Sequence, residues 1–248
     1  MMEIPTNLDN FKFDKITVTL DNKSTKFIVT TGAIGVGKTT WNVMLANYLR
    51  SKGFKVYLSN EIPLMDKEFL ELFYSDVSKY SFAFQLNIIH KFNYEMLKLY
   101  YKQHSYDYVI FDRTNLDTKV FTSKNISDEK ELQILNNIFL NNTFKSDDFD
   151  YVFYLKPSKN IMIERQQKRN RLSEKSVPKQ YLIDIYDKYE TMIREIYPNH
   201  IVVNNENDVN YDNIFKQYFH GKQYLYNSMR QYYIILFLIL FIIYFIYL

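Results

Sequence analysis

The sequence predicts an α/β fold in which a five-stranded parallel sheet carries helices on both faces. Two observations predict it. Short apolar runs rich in β-forming residues alternate with longer segments of mixed polarity, and a glycine-rich turn joins the first run to the first long segment. Alternation of this kind is typical of parallel sheets, because their crossover helices pack on the two faces of the sheet.

The strands and helices follow in order along the chain. The five apolar runs, which read as strands buried on both faces, are 26–31, 54–59, 106–111, 150–155 and 200–204. The predicted helices cover about 38–51, 65–74, 80–103, 128–141, 158–171 and 178–196. Pro178 suits a helix start and Pro198 a helix stop. We interpret the polar stretch 204–213 as a loop, and residues 1–222 as one domain.

Composition excludes several classes of protein. The 248 residues include no cysteine, which rules out disulfides and thiolate metal sites. The net charge of +3 is too small to indicate a nucleic-acid partner, and none is expected. The N-terminal stretch lacks the apolar segment of a signal peptide. A cytoplasmic location is the expectation.

The C-terminal tail, residues 223–248, differs from the rest. Its last part, 232–248, carries no charge. As a helix it would span roughly 25 Å, slightly less than a ~30 Å hydrocarbon core. It could anchor the protein to a membrane, form a buried helix or strand, or have no role. A buried helix normally keeps one polar face and this stretch has none, which favours the anchor.

The glycine-rich turn fits the phosphate-binding pattern G-x-x-x-x-G-K-[ST]. Three of the five glycines of the chain lie within residues 32–37, between a predicted strand and a predicted helix, as the motif requires. Glycine lets the backbone N–H groups turn inward around a phosphate, and the helix N-terminus adds its positive dipole. We therefore predict an ATP site at Gly32, Ala33, Ile34, Gly35, Val36, Gly37, Lys38, Thr39 and Thr40. Lys38 would reach the β- and γ-phosphates, and the Thr39 hydroxyl would bind Mg²⁺.

The residues after the third predicted strand narrow the range of nucleotide-binding proteins to which the chain could belong. No guanine-reading N-K-x-D follows a later strand, which argues against a GTPase. Motor and helicase ATPases usually place a catalytic acid after the strand-terminal acid, whereas here Arg113 follows Asp112. An arginine in that position suits a transferase with a second, hydroxyl-bearing or anionic substrate.

Several motifs in order then resemble one family. They are Glu61 in "SNEIP", "LELFYSDVSKYSFAFQ" (70–85), "DRT" (112–114), "RQQKRNRLSE" (165–174) and "VPKQYLIDIYDKYE" (177–190). Together they resemble the deoxynucleoside kinases of the type that includes mitochondrial thymidine kinase, deoxycytidine kinase and the insect multisubstrate enzyme. The resemblance covers roughly residues 26–196. It implies a P-loop kinase fold with an arginine-rich lid, and transfer of the ATP γ-phosphate to the 5′-hydroxyl of a deoxynucleoside.

The resemblance implies a role for each matching residue. Glu61 would be the general base and Arg113 would steady the reacting groups, although a helix-terminal charge and a surface ion pair are alternatives. Asp112 would join Thr39 in holding Mg²⁺, but the family usually has glutamate there, one methylene longer. The lid arginines would be Arg165, Arg169 and Arg171; the alternative is a solvated basic face. The acceptor would contact Glu61, Tyr74, Phe84, Gln85, Arg113, Phe121 and Glu174, of which Tyr74, Phe84 and Phe121 could instead be plain core residues.

Specificity and assembly are also expectations from the resemblance. Purine-accepting and deoxycytidine-preferring members carry arginine seven residues after the glutamine, where this chain has Phe92. This favours thymidine and deoxycytidine. Family members are commonly dimers, so a homodimer is expected. Two alternatives stay open: a thymidylate-type monophosphate kinase, and a membrane-tethered nucleotide-binding module without turnover.

Overall fold

The computed structural model of the chain describes residues 25–100, 105–140, 144–169, 177–206 and 209–219. These residues form one five-stranded sheet with helices packed around it. The strands are β1 (Lys26–Thr31), β2 (Val56–Leu58), β3 (Tyr108–Asp112), β4 (Tyr151–Leu155) and β5 (Ile201–Val203). The helices are α1 (Lys38–Ser51), α2 (Lys67–Ser75), α3 (Val77–Tyr100), α4 (Thr118–Asn125), α5 (Glu129–Leu140), α6 (Lys159–Arg169), α7 (Lys179–Ile196) and α8 (Tyr211–Tyr218).

The sheet confirms the predicted parallel α/β architecture. Its strand order is β2-β3-β1-β4-β5, and every pair is parallel. β1 lies at the centre, with Thr30 opposite Asp112 of β3 and Thr31 opposite Tyr154 of β4. The carboxyl ends of all five strands therefore meet at one edge, where ligands bind in open α/β sheets.

Three helices differ from the prediction: one begins earlier, one was not predicted, and one begins inside a predicted loop. α3 begins at Val77 because the Asp76 side chain accepts the N–H of Lys79 at 3.1 Å. α4 was not predicted, since its eight residues carry few apolar side chains at helical spacing. α8 begins inside the stretch predicted as a loop, 204–213, because Asn210 caps it by accepting the N–H of Asn213.

The core connects the first helix to the sheet and to the last described helix. Trp41 of α1 is completely buried. Its ring lies 5.3 Å from that of Phe153 on β4 and 4.8 Å from that of Phe215 on α8, both also buried. Aromatic pairs at these distances contribute beyond the area they bury, so the helix that follows the glycine-rich turn is fixed rigidly.

Some predicted features lie outside the described residues. They are the tail (223–248) and the expected contacts of Arg171 and Glu174. Within the part of the chain that the structure covers, no helix is both long enough and apolar enough to cross a membrane.

Candidate functional site

The glycine-rich turn connects β1 to α1 and packs closely against α6. Gly35 has a φ of +85°, and a Cβ atom added there would lie 2.7 Å from the carbonyl oxygen of Met162. It would also lie 3.0 Å from Cβ of Gln166. Only glycine both adopts this left-handed backbone readily and fits into this space. The lack of a side chain at position 35 therefore allows the turn and α6 to lie in contact.

Lys38 folds back over the turn. Its ammonium donates to the carbonyl oxygens of Ala33 at 2.8 Å and Gly32 at 3.3 Å, and the residue is 6% exposed. Burial, and then the charge of Arg113, lower the pKa of Lys38 to about 8. A cation confined in this way can receive an anionic phosphate with little reorganisation.

The outer side of the turn is held by two donors. The carbonyl oxygen of Val36 accepts from Nδ2 of Asn205 at 2.6 Å and from Nη1 of Arg165 at 3.2 Å. Because the C=O and N–H of a trans peptide point in opposite directions, this arrangement directs the N–H of Gly37 away from both donors. Asn205 is completely buried, and within the described residues its Oδ1 has no hydrogen-bond partner.

Asp112 ends β3 beside the first turn of α1. Its Oδ2 accepts from the Thr39 hydroxyl at 3.1 Å, while its buried Oδ1 has no hydrogen-bond partner among the described residues. Burial raises the pKa of Asp112. An unpartnered carboxylate oxygen next to a hydroxyl fits Mg²⁺, which takes one or two protein oxygens and completes its shell with phosphates and water. The described residues contain no cluster of three acidic or histidine side chains that could hold a metal alone.

Glu61 follows β2 and lies next to the phosphate-binding turn. Its Oε2 accepts from Nη2 of Arg169 at 3.1 Å, and the same nitrogen lies 3.5 Å from Oγ1 of Thr39. One arginine of α6 therefore touches both the carboxylate and the start of α1.

Arg113 has an unusual backbone and a highly constrained side chain. Its φ is +64°, and its N–H donates to the carbonyl oxygen of Thr30 at 2.9 Å. Nε and Nη2 donate to the carbonyl oxygen of Gly32 at 3.1 and 2.9 Å, and the guanidinium lies 5.3 Å from the centre of the Phe121 ring. A non-glycine residue in the left-handed region stores strain, and such strain is characteristic of functional sites.

One cavity of about 730 Å³, including its open mouth, collects most of the predicted side chains. The predicted site residues that line it are Ile34, Lys38, Glu61, Tyr74, Phe84, Gln85, Asp112, Arg113, Phe121 and Arg169. Leu70, Phe73, Ile88, Thr118 and others complete the wall. The cavity is charged at the phosphate-binding turn and largely apolar between α2 and α3, which suits a ligand with a phosphate at one end and a ring at the other.

The pair α2 and α3 forms the apolar end. Asp66 caps α2 by accepting the N–H of Phe69 at 3.2 Å and also pairs with Lys91 of α3 at 3.1 Å. Phe84 stacks on Phe73 at 4.4 Å between ring centres and is 4% exposed, so it belongs both to the core and to the cavity wall. Gln85, 2% exposed, also lines this end of the cavity and is a polar residue in a largely apolar wall.

Eight described residues of the predicted site do not line the cavity: six belong to the turn and the start of α1 (Gly32, Ala33, Gly35, Val36, Gly37 and Thr39), and the other two are Arg165 and Thr40. Arg165 contacts the outside of the turn through Val36, and Thr40 is exposed in the first turn of α1. Sequence reasoning missed Asn205, Asp117 and Tyr189. Asp117 lines the cavity four residues after Arg113, a proximity that the sequence shows, whereas Asn205 and Tyr189 reach the site only through the fold.

Comparisons with known proteins agree with this geometry. The family model described as deoxynucleoside kinase matches residues 28–221. The chain is 27% identical over 173 residues to a deoxyadenosine kinase of Dictyostelium discoideum, covering 68% of this chain and 67% of that protein. It is 27% identical over 172 residues to a deoxyguanosine kinase of Bacillus subtilis (strain 168), covering 68% and 79%.

A solved structure supports the fold. The deoxyadenosine kinase from M. mycoides, solved with its products dCMP and dCDP, superposes with a TM-score of 0.62 at 21% identity. The match covers 83% of this chain and 99% of that one.

Proposed function

Because the chain belongs to the deoxynucleoside kinase family, we propose that it transfers the γ-phosphate of ATP to the 5′-hydroxyl of thymidine or deoxycytidine. The observation that carries this proposal is the cavity that places Glu61, Arg113 and Lys38 around one space. Phosphoryl transfer needs little more from a protein than positioning and charge compensation, and this cavity offers both.

Each charged residue has a place in the proposed reaction. Glu61 accepts the proton of the 5′-hydroxyl as its oxygen forms a bond to the γ-phosphorus and the bond to the leaving ADP oxygen breaks. Lys38 and Arg169 compensate the negative charge of the phosphates, and Arg113 orients the transferring group. Arg169 pairs with Glu61 at 3.1 Å in the structure, and in the proposed complex that guanidinium would turn toward phosphate.

Thr39 and Asp112 are the residues that would hold Mg²⁺. The ion would supply Lewis-acid charge to the donor phosphates. The unpartnered Oδ1 of Asp112 and the Thr39 hydroxyl supply oxygen ligands of the kind that it prefers.

The base would bind between α2 and α3. Gln85 can both donate to and accept from a base edge. At the position where the resemblance places arginine in purine-accepting and deoxycytidine-preferring members, Phe92 is completely buried and packs 5.6 Å from the Phe111 ring. It brings no charge to the base, which supports a pyrimidine. The named activities of the two relatives favour purine deoxynucleosides as the second candidate.

A direct assay tests the proposal. The full chain is incubated with labelled ATP and each of the four deoxynucleosides, and kcat/KM is compared. Highest values with thymidine or deoxycytidine support the proposal, whereas highest values with deoxyadenosine or deoxyguanosine favour the second candidate. Product from thymidylate alone would indicate the monophosphate kinase, and no product from any acceptor would indicate binding without turnover.

The tail and the assembly need separate measurements. Membranes from expressing cells are extracted with carbonate: retention of the full chain in the pellet supports a tail anchor, and full release supports a cytoplasmic protein. Sedimentation of the released or detergent-solubilised chain then tests the homodimer implied by the family.

A further inference from the structure

A buried network of hydroxyl groups lies beside Arg113, and two of its members, Thr114 and Asp117, also line the cavity. Its centre is the carboxylate of Asp117, which is 1% exposed. Oδ1 accepts from the hydroxyls of Tyr189, at 2.9 Å, and Thr31. Oδ2 accepts from the hydroxyl of Tyr197 at 2.7 Å and from the N–H of Thr114 at 2.9 Å. Two donors on each oxygen match the acceptor capacity of an ionised carboxylate, which makes Asp117 a fixed anchor.

Among these donors, Tyr189 also contacts Arg113. Its hydroxyl lies 3.1 Å from Nε of Arg113. The single hydroxyl proton is donated to Asp117, so the lone pairs of the oxygen face the guanidinium and accept from it. Burial, and then the charge of Asp117, raise the pKa of Tyr189 well above its ordinary value, and the hydroxyl therefore keeps its proton at neutral pH.

The contacts of Arg113 explain why an extra acceptor matters. The guanidinium has a flat face over the Phe121 ring and two donors on the Gly32 carbonyl oxygen. That same oxygen lies 3.3 Å from the ammonium of Lys38, so it serves two cations. If the Gly32 carbonyl oxygen were the only acceptor, the guanidinium could rotate about it. A second acceptor on Nε, the Tyr189 hydroxyl, fixes the plane of the guanidinium.

We propose that Tyr189 is a positioning residue that sets the orientation of the Arg113 guanidinium toward the transferring phosphate, with Asp117 as its anchor. The inference rests on the role proposed above for Arg113. Tyr189 itself does not line the cavity. Its effect must therefore pass through Arg113 or through Asp117, and Tyr197, which contacts Asp117 but not Arg113, separates the two routes.

A matched pair of variants tests the proposal. Tyr189→Phe and Tyr197→Phe each remove one buried hydroxyl that donates to Asp117, and the two tyrosines are 0% and 1% exposed. Only the first hydroxyl contacts Arg113; the second contacts Thr114 instead. Phenylalanine preserves the ring contacts of residue 189 with Tyr154 and Phe121, both 6.3 Å between centres. Both variants should therefore fold, with lowered melting temperatures.

The kinetic constants separate a positioning role from a structural one. We expect Tyr189→Phe to lower kcat about tenfold, as the loss of a hydrogen bond to a charged group predicts, with both KM values within about twofold. Tyr197→Phe should keep kcat, although it removes two contacts. Equal kcat values for the two variants would overturn the proposal.

A double-mutant cycle with Arg113→Lys adds a second test. If Tyr189 acts through Arg113, Tyr189→Phe should lower kcat little further in the Arg113→Lys background. The full tenfold loss in that background would show that Tyr189 acts independently and would overturn the inference. An Arg113→Lys enzyme with unchanged kcat would overturn the role of Arg113 itself. A slow Arg113→Lys enzyme together with an unimpaired Tyr189→Phe enzyme would overturn only the positioning role.

Discussion

Replacement of Gly35 by alanine should separate backbone strain from close packing, because the chain contains a matched control. Gly35 and Gly53 have nearly the same φ, +85° and +86°. A Cβ at Gly53 would meet nothing within 4 Å, whereas one at Gly35 would lie 2.7 Å from the Met162 carbonyl oxygen. Gly53 follows α1 at the opposite edge of the sheet from the cavity.

The expected magnitudes follow from these distances. At either position a left-handed alanine costs about 1–2 kcal/mol, partly offset by about 0.4–1 kcal/mol from the stiffer unfolded chain. Gly53→Ala should therefore lose roughly 1 kcal/mol, or about 2–4 °C in melting temperature. At Gly35 the turn or α6 must also move by about 0.7 Å to restore ordinary contact. Overpacking of this kind adds about 1–3 kcal/mol.

Nucleotide affinity should respond only at Gly35. A displacement of that size misplaces the N–H groups that would face the phosphates, and we expect at least about tenfold weaker ATP binding. Thermal unfolding and calorimetric titration with ATP measure the two effects. If Gly35→Ala binds ATP as tightly as Gly53→Ala, the contact between the turn and α6 does not shape the ATP site, and the reasoning fails.

Three further outcomes are expected. Glu61→Gln should lower kcat by about 10²–10⁴-fold, the range for loss of a general base, while ATP still binds. An unchanged kcat would show that Glu61 is not the general base. Asn205→Ala should cost about 0.5–1.5 kcal/mol of stability, since the Val36 carbonyl loses one of its two donors and keeps Arg165, and should raise the KM for ATP but not for the nucleoside; equal changes in both KM values would contradict a specific effect on the turn. Lys38 has a pKa of about 8 and is protonated below it, and bound phosphate favours the protonated form. ATP affinity, titrated without divalent cations from about pH 7, where the terminal phosphate is largely ionised, should thus be steady up to about pH 8 and fall above it, and Lys38→Met should show weak binding without that fall.

The sequence predicted features whose signals are local. β-rich apolar runs and a glycine motif lie within a few consecutive residues, and the structure confirms the parallel sheet that they indicate. The short helix α4 (Thr118–Asn125) escaped prediction because it is set by a turn and by neighbours. Thr114 and Asp117 form a capping box just before it, and it packs on α3 and α7. A pattern search for helical periodicity has little to detect in such a segment.

Some residues act through contacts between distant parts of the chain, and their roles could not be predicted from the sequence. Asn205 lies 169 positions from Val36, the residue whose carbonyl it holds. Tyr189 looks like any buried position of the amphipathic helix α7, and its hydroxyl gains a role only because β3 ends beside β1. The predicted roles of the cavity residues came from the order of motifs, which says what chemistry to expect but not which hydroxyl supports which guanidinium.

Three successive residues at the end of β1 explain how the site is assembled. The carbonyl oxygen of Thr30 accepts the N–H of Arg113, the hydroxyl of Thr31 donates to Asp117, and the carbonyl oxygen of Gly32 accepts from the Arg113 side chain. All three contacts join the end of β1 to the segment after β3, and they form because the two strands pair in parallel with Thr30 opposite Asp112. A slip of one residue would turn every side chain of a strand to the opposite face. The same strand register that buries the core therefore also fixes Arg113 against the phosphate-binding turn, so the geometry of the site follows from the pairing of two strands.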